Sequence, residues 1–373
     1  MNAPRIVLVH LIANGDCLMA TAIARQIKAD FPGCHLTWAV SCKCRQIIEN
    51  NPDVDAIWSV EANHPKETIW DIWRRVKAEA EALRASGEMD HIFYTQVYPD
   101  NASNFDGTTR SSIFRNYPRP LTVPVTPVLR LSDAEVAHAR RFAEEGELSR
   151  YRHVILFECA PGSGQSSLTP AKALDVASRL VARHDDVLVI LSSHIPVVSS
   201  SPRILDASHL SLRENVALSH FCTLLVGCSS GISWLLTCDS AKLLPTVQFL
   251  NRGARGVSFA SMAYDFQHWG LNAGHIIESS VEGGELQAEI ISRAMMDFVS
   301  ARGACQEIFR PVFWDFLLFF DYRSPRRWFN VFRTCRLFVR RNHVTWRDVF
   351  RLDQLWGAVR ELWRAFSRCF QER

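Results

Sequence analysis

The sequence lacks the patterns that mark exported and membrane-spanning chains. No basic segment followed by a long apolar one opens the chain, because Arg5 leads directly into the short apolar run 6–9. No apolar stretch reaches the length that a membrane-spanning helix requires. We therefore expect a cytoplasmic protein whose contact with a membrane, if it has one, is peripheral.

The eleven cysteines lack the spacing of a metal site or of a disulfide framework. Cys42 and Cys44 have no second pair at zinc-finger spacing, so we expect no bound metal and no other resident cofactor. Four further cysteines interrupt apolar runs, which is typical of small buried side chains in a reducing compartment. They are Cys159, Cys222, Cys228 and Cys238.

Composition divides the chain unevenly. At 373 residues, with 47% hydrophobic residues, it is long enough for two domains with substantial cores. The net charge of +3 conceals an asymmetry, because residues 305–373 contain fourteen arginines against seven acidic residues and seventeen of the thirty-nine aromatic residues. This change indicates a boundary. We expect domains at 1–130 and 131–303, followed by a basic aromatic extension at 304–373.

The basic aromatic extension has three interpretations. Helices with arginine on one side and tryptophan or phenylalanine on the other commonly lie at a bilayer interface, and clustered arginines attract anionic lipids. The second interpretation is a helical extension that packs on the body of the protein or on a second subunit. The third is binding of single-stranded nucleic acid, which nothing else in the chain supports, so we expect no nucleic acid.

Strand and helix signals alternate through both halves, which predicts an α/β protein with two Rossmann-like domains facing a central cleft. In the first half the predicted strands are 5–12, 35–40 and 91–94, and the predicted helices are about 16–31, 44–49 and 67–86. A proline-rich stretch, 117–132, predicts an extended connection. In the second half the predicted strands are 154–157, 187–191, 224–227 and 243–249, the last closing its sheet. A helix at about 285–301 is predicted to cross back over the first domain.

Asn14, Gly15 and Asp16 lie where the first strand gives way to a helix. This is the carboxyl edge of a parallel sheet, where open α/β folds bind ligands. Gly15 is expected to let the backbone turn tightly and approach a substrate. Asp16 is therefore a candidate catalytic carboxylate. The alternative is a plain helix N-cap that complements the helix dipole.

Two loops in the second half suit a phosphate, because each offers small residues and free backbone N–H groups near the start of a helix. The first loop contains Gly162, Ser163, Gly164, Ser166 and Ser167. The second contains Ser229, Ser230 and Gly231. Neither matches the P-loop or the dinucleotide fingerprint, and ordinary turns are the alternative for each.

Further polar residues follow predicted strands. Glu158 is expected to face the cleft and bind ribose or a sugar hydroxyl, with an ordinary strand-end role as the alternative. His194 is a candidate nucleotide contact, or else a surface loop residue. Arg110, in a predicted loop of the first half, is interpreted as a solvated charge rather than as a contact to an anionic acceptor. Residues 104–107 of that loop are predicted to face the acceptor.

At this point the chain resembles the family 9 glycosyltransferases, which are the lipopolysaccharide heptosyltransferases and their relatives. The resemblance lies in 15–22, in Phe31-Pro32, in 51–55, and in 225–235, where the family has Gly-x-Asp-(Ser/Thr)-Gly-x-x-His. It implies a GT-B fold and an inverting, metal-independent transfer from a nucleotide-sugar donor held by the second domain. It also implies that Asp16 is the general base that deprotonates the acceptor hydroxyl.

The chain departs from the family pattern in its second half. Ser167-Leu168-Thr169-Pro170 stands where the family commonly has a lysine shortly before Trp-Pro. Ser229 and Trp234 replace the aspartate and the histidine of the glycine-rich turn. These changes alter how a diphosphate is neutralised. They argue against ADP-heptose and are compatible with another sugar nucleotide or with a CMP-linked acid that carries a single phosphate. Lys172, one turn into the next helix, is either a substitute for the lysine or a solvated charge.

These patterns predict a glycosyltransferase, peripheral on the inner membrane, that extends lipopolysaccharide or another lipid-linked surface glycan. A sugar-nucleotide epimerase with the same fold is one alternative, and it requires acid and base carboxylates in the second half. A non-catalytic binding module of a glycan-assembly complex is the other alternative.

Overall fold

Two parallel β-sheets, each flanked by helices, form the body of the protein. The computed structural model describes residues 3–99, 101–161, 164–252, 260–314, 325–351 and 359. Within these ranges the first sheet has four strands, the second has six, and every strand pair is parallel. These are the two α/β domains that the alternating sequence signals predict.

The first sheet has the strand order β3-β2-β1-β4. Its strands are β1 (Arg5–Val9), β2 (His35–Ser41), β3 (Ala56–Val60) and β4 (His91–Tyr94). The helices of this half are α1 (Asn14–Asp30), α2 (Arg45–Ile48), α3 (Ile69–Ala85) and α4 (Thr109–Arg115). β1 is central and its residues Ile6 to Val9 are fully buried, which is the reason for their unbroken apolar run.

Local sequence explains where the helices of the first half begin and end. Thr68 and Asp71 form a capping box at the start of α3, each bonding the other's backbone. α1 stops at Phe31, whose N–H donates to the Ile27 carbonyl, and Gly33 follows in the left-handed region at φ 78°. β3 escapes the sequence prediction because four of its five residues are only half-buried, so its pattern is weak.

The second sheet has the strand order β10-β9-β8-β5-β6-β7. Its strands are β5 (His153–Glu158), β6 (Val187–Ser192), β7 (Ile204–Asp206), β8 (Leu224–Gly227), β9 (Thr246–Phe249) and β10 (Ile276–Ser279). The accompanying helices are α5 (Asp133–Glu145), α6 (Pro170–Arg183), α7 (Leu212–Leu218), α8 (Gly231–Leu235), α9 (Met262–His268), α10 (Gly284–Met296) and α11 (Phe298–Cys305).

Two predictions for the second half are wrong. The strand at 243–249 does not close its sheet, because β10 follows it and pairs with it. The helix at 285–301 does not cross back over the first domain; it is two helices, broken where Asp297 turns to extended backbone and caps α11 through the Ser300 N–H. α10 packs on α6, and Glu285 lies 3.0 Å from the Arg179 guanidinium.

The two halves are held together by a shared core and by buried polar contacts. Leu18 of α1 and Leu235 of α8 belong to one continuous hydrophobic cluster. The buried Arg213 of α7 donates to the Gln46 carbonyl of α2 at 2.7 Å and pairs with Glu135 of α5. The connection 117–132 contains no helix or strand, as its prolines predict. The buried cysteines Cys159, Cys222, Cys228 and Cys238 contribute to the cores, also as predicted.

Within the described ranges the C-terminal extension is partly helical, and residues 306–312 form neither helix nor strand. Its elements are α12 (Pro325–Arg341) and α13 (Trp346–Val349). α12 packs on the short turn Ala102–Asn104 of the first half. Packing on the body, one of the interpretations from the sequence, is therefore present. Across the described ranges, the structure contains no helix with the length and apolar character needed to cross a membrane.

Candidate active site

A cavity of about 660 Å³ lies at the carboxyl edges of both sheets. This volume falls within the range of small-molecule sites. The first half contributes α1, the segment after β4, and α4, while the second half contributes the loops after β5, β6 and β8. Among its lining residues are Asn14, Gly15, Asp16, Met19, Val97, Tyr98, Phe105, Arg110, Glu158, Gln165, His194, Asn215, Ser229, Ser230, Gly231 and Trp234.

Asp16 lies in the first turn of α1 and borders the cavity. In the described part of the chain its carboxylate accepts no hydrogen bond and forms no ion pair. Burial, together with the nearby negative charge of Asp265, raises the pKa of Asp16 to about 7. A carboxylate without a partner, with a pKa near neutrality and access to a cavity, has the properties of a general base.

The start of α1 differs from the sequence interpretation in two respects. Ala13 is the N-cap residue and no side chain caps the helix, so Asp16 is not an N-cap, although it lies in the first turn, where a carboxylate complements the helix dipole. The left-handed residue of the turn is Ala13, at φ 64°, and not Gly15. Gly15 instead faces Trp234, and an added Cβ would lie 3.4 Å from the Trp234 ring. Gly15 thus brings the backbone of the first half close to the second.

The carboxylate of Glu158 is occupied by hydrogen bonds from the backbone of α8. Its carboxylate is buried at the end of β5 and accepts hydrogen bonds from the N–H groups of Ile232 at 2.9 Å and Ser233 at 3.3 Å. The Ser233 hydroxyl also donates to it. Glu158 therefore caps the first turn of α8, which is a structural role and not the sugar contact that the sequence suggested.

Ser229, Ser230 and Gly231 border the cavity as the sequence predicts, but they differ in availability. Ser229 adopts a left-handed φ of 52°, its N–H donates to Gln248 Oε1 at 2.5 Å, and its hydroxyl donates to the Ala260 carbonyl. Its polar groups are thus used internally. Ser230 makes no side-chain cap to α8, and with Gly231 it presents the small-residue face of this turn to the cavity.

The loop after β5 contacts the cavity through a different residue from those predicted. Gln165 lines the cavity, while Gly164, Ser166 and Ser167 are not part of its wall. Gly162 and Ser163 lie outside the described residues. Lys172 is exposed and donates to the Ser167 carbonyl at 2.9 Å, so its ammonium group stabilises this loop. His194 borders the cavity at its exposed rim.

The interpretation of Arg110 as a solvated charge in a loop is wrong. It lies on α4, its side chain is 1% exposed, and it borders the cavity. Its Nη1 lies 3.1 Å from Asp265 Oδ2 of α9, and its guanidinium packs on the Phe266 ring at 4.8 Å. Both Nη1 and that Oδ2 lack a well-aligned hydrogen-bond partner in the described ranges. Its burial could not be predicted from local sequence, because its partner is 155 residues away.

Residues 104–107 mostly turn away from the cavity, contrary to the prediction that they face an acceptor. Phe105 lines the cavity, whereas Asp106 is fully buried. Burial alone would raise the pKa of Asp106, but a hydrogen bond from His268 and an ion pair with Arg115 hold that pKa well below its usual range. Asp106 is thus a fixed anion that ties α9 to α4.

The site therefore combines a carboxylate of raised pKa on the first half with a buried guanidinium and a small-residue turn on a shared cavity. An inverting group transfer needs a base on one side and dipolar or positive stabilisation of a leaving anion on the other. Asp16 is the candidate for the first part, and Arg110 with the Ser230-Gly231 turn is the candidate for the second.

Comparison with known proteins establishes the fold. No protein-family model matches the chain, and no curated protein matches it in sequence. Among solved structures it is similar to a family 9 glycosyl transferase from Veillonella parvula, with a TM-score of 0.53 and 15% identity over 78% of this chain and 92% of that one. It is also similar to a UDP-N-acetylglucosamine 2-epimerase, with a TM-score of 0.50 and 10% identity over 83% and 93% of the two chains.

A further similarity, to an E. coli heptosyltransferase with ADP, has a TM-score of 0.47 and 14% identity over 79% of this chain and 99% of that one. At such identities the comparisons show the fold alone. The two sheets have the GT-B arrangement of two Rossmann-like domains, which confirms the fold that the sequence resemblance implied.

Proposed function

We propose that this protein is an inverting glycosyltransferase that moves a sugar from a nucleotide-sugar donor to a glycan acceptor, with Asp16 as the general base. The observation that carries the proposal is the carboxylate of Asp16, which has no hydrogen-bond or ion-pair partner among the described residues, has its pKa raised to about 7, and borders a cavity between two GT-B domains. A base with a pKa near the working pH takes up a proton without being permanently protonated.

In the proposed reaction the acceptor hydroxyl attacks the anomeric carbon of the donor sugar. The new C–O bond forms as the bond from that carbon to the phosphate oxygen breaks, and Asp16 takes the hydroxyl proton. The electron pair of the broken bond leaves with the nucleotide. Attack from the face opposite the leaving group inverts the anomeric configuration.

We assign the donor to the second domain, for which we propose the limits 131–303. Ser230, Gly231, Gln165 and His194 border the cavity on that side and are the proposed donor contacts. Among the described lining residues Arg110 is the one Arg or Lys, so it is the proposed source of positive charge for the departing phosphate. A buried guanidinium and backbone N–H groups suit a reaction without a metal.

We assign the acceptor to the first domain, with proposed limits 1–130. Met19, Val97 and Phe105 give that wall of the cavity an apolar surface beside Asp16. The proposed acceptor is lipopolysaccharide or another lipid-linked glycan, handled at the cytoplasmic face of the inner membrane. Nucleic acid has no part in this proposal.

The rival functions make different demands on the second half. An epimerase needs both an acid and a base carboxylate in the second half. Within the described ranges, Glu158 is the one carboxylate of that half on the cavity wall, and its oxygens are occupied in capping α8. A binding module would bind a nucleotide or glycan without turnover.

A panel of nucleotides and their sugar conjugates tests the proposal. ADP, UDP, GDP and CMP, each with its conjugates, are added to the purified protein while its thermal unfolding is followed. A ligand at about 100 times its Kd adds roughly 2.7 kcal/mol of stability, which shifts the transition visibly. The proposal predicts one responding nucleotide class, with binding retained by Asp16→Asn. Absence of any response would contradict it.

A further inference from the structure

The outward face of the C-terminal extension carries three exposed aromatic rings in a row. Phe332 is 61% exposed, Trp346 is 41% exposed and Phe350 is 50% exposed. The Phe332 and Trp346 ring centroids are 6.1 Å apart, and those of Trp346 and Phe350 are 6.2 Å apart, with nearly parallel planes in both pairs. We call these three residues the aromatic patch. Solvent exposure of three neighbouring large rings marks an interaction surface.

The orientation of this face is fixed by the opposite side of α12. Cys335 and Phe338 are buried, and Phe338 packs against Gly107 of the first half. The Asn342 amide donates to the Asp106 carbonyl and accepts from the Tyr264 hydroxyl. Trp314 packs on Phe350 and donates to the carbonyl of Val349, which anchors α13 in the same way. The aromatic patch therefore consists of the ring surfaces that remain exposed to solvent after the helices have packed.

Five arginines on α12 and α13, the helices that carry the aromatic patch, have no ion-pair partner among the described residues. They are Arg333, Arg336, Arg340, Arg341 and Arg347, and all are exposed. None of the five forms an ion pair with any residue in the described ranges. Between residues 332 and 351 the acidic residue is Asp348, whose carboxylate already accepts hydrogen bonds from Thr345. The surface around the rings is thus strongly positive.

We propose that the aromatic patch and its five arginines dock the protein on an anionic lipid bilayer. Aromatic rings are favoured at the level of the headgroups, where their apolar faces are removed from water. Arginines beside them attract anionic headgroups, each contributing about 1 kcal/mol near the surface. Charge complementarity selects this occupant, because a neutral apolar partner would leave five unpaired cations at the rim of the contact.

Docking in this way places the acceptor side of the cavity next to the membrane. α12 packs on Ala102–Asn104, and the adjacent Phe105 lines the cavity. A lipid-linked acceptor would then reach Asp16 from the membrane side. This consequence rests on the proposed function, whereas the docking itself rests on the chemistry of the surface alone.

Co-sedimentation with vesicles tests the docking. The full chain is mixed with vesicles of phosphatidylcholine alone and with vesicles containing phosphatidylglycerol, without donor or acceptor. We expect binding to the anionic vesicles that is at least tenfold tighter than to the neutral ones and that weakens with salt. Replacing Phe332, Trp346 and Phe350 together by Ser, or Arg333, Arg336 and Arg340 by Gln, is expected to weaken this binding at least tenfold.

Matched surface changes elsewhere provide the controls. Phe221→Ser alters a ring that is 37% exposed in the second half, and Arg140→Gln with Arg141→Gln removes two exposed charges from α5. Both are expected to bind the anionic vesicles like the wild type. Equal binding to the two kinds of vesicle, or unchanged binding by both patch variants, would overturn the proposal. So would a self-associating wild type that the Ser variant converts to a monomer, because the patch would then bind a second copy. Since no turnover is measured, failure here leaves the proposed transfer reaction separately testable.

Discussion

Replacing Asp16 by Asn is expected to stabilise the protein while abolishing transfer. The pKa of Asp16 is raised from its ordinary value of 3.8 to about 7 in the folded protein. Ionisation is therefore harder in the folded than in the unfolded chain, so stability falls as the pH rises from about 4 to 7 and stays low above 7. A pKa difference of about three, at about 1.4 kcal/mol for each pKa unit, corresponds to a loss of at most about 4 kcal/mol in the free energy of unfolding.

Contact of Asp16 with the cavity reduces this figure, since solvent screens the charge. We expect Asp16→Asn to raise the free energy of unfolding by about 2–4 kcal/mol at pH 8 and by clearly less at pH 5. Urea denaturation at both pH values measures this, with the exposed Asp185→Asn as a control expected to stay within about 0.5 kcal/mol of the wild type. An Asp16→Asn variant that is less stable than the wild type at pH 8 would show that the carboxylate is stabilised by its surroundings, and the assignment of a strained, poised base would be refuted.

Three further changes test the packing around the site. Arg110→Met alone is expected to lower the free energy of unfolding by about 3–5 kcal/mol in urea denaturation, because it leaves Asp265 buried without its partner. Adding Asp265→Leu should recover most of that loss. Strictly additive losses would contradict a mutual pair. Glu158→Ala removes the acceptor of two buried backbone N–H groups of α8 and should lower the unfolding free energy by about 2–3 kcal/mol, against a smaller loss for Glu158→Gln. Gly107 has a φ of 97°, and a Cβ added there would lie 2.7 Å from the nearest side chain. The decrease in melting temperature caused by Gly107→Ala should therefore exceed that caused by Gly87→Ala, where φ is 77° and the space is open. Equal decreases would show that the C-terminal helix moves easily to make room.

Much of the fold is readable from the sequence because its central strands are buried on both faces. β1, β5, β6 and β8 form unbroken apolar runs, and turn residues separate them from amphipathic helices. The strands that escape prediction, β3, β7 and β10, are edge strands or have weak patterns, so neighbours rather than local sequence decide their state.

The residues of the candidate site likewise fall into those that local sequence predicts and those that depend on distant partners. Asp16, Ser230 and Gly231 are found because strand ends of parallel sheets meet at one edge, which local sequence reveals. Arg110 is misinterpreted as a solvated charge, since its burial depends on Asp265 and Phe266, far away in the chain. Glu158 is misread because the N–H groups that occupy its carboxylate belong to a helix more than seventy residues later. Long-range pairing of charged groups is the information that a single sequence does not display.

The most direct test of the central claim is the stereochemistry of sugar release. Once a binding nucleotide sugar is known, its slow turnover with water or with a glycan acceptor is followed by ¹H NMR, comparing wild type with Asp16→Asn. We predict that the first-formed product has the anomeric configuration opposite to that of the donor, and that Asp16→Asn binds the donor but lowers turnover by at least about a hundredfold. Retention of configuration, or full turnover by the variant, would contradict the assignment of Asp16 as the base of an inverting transfer.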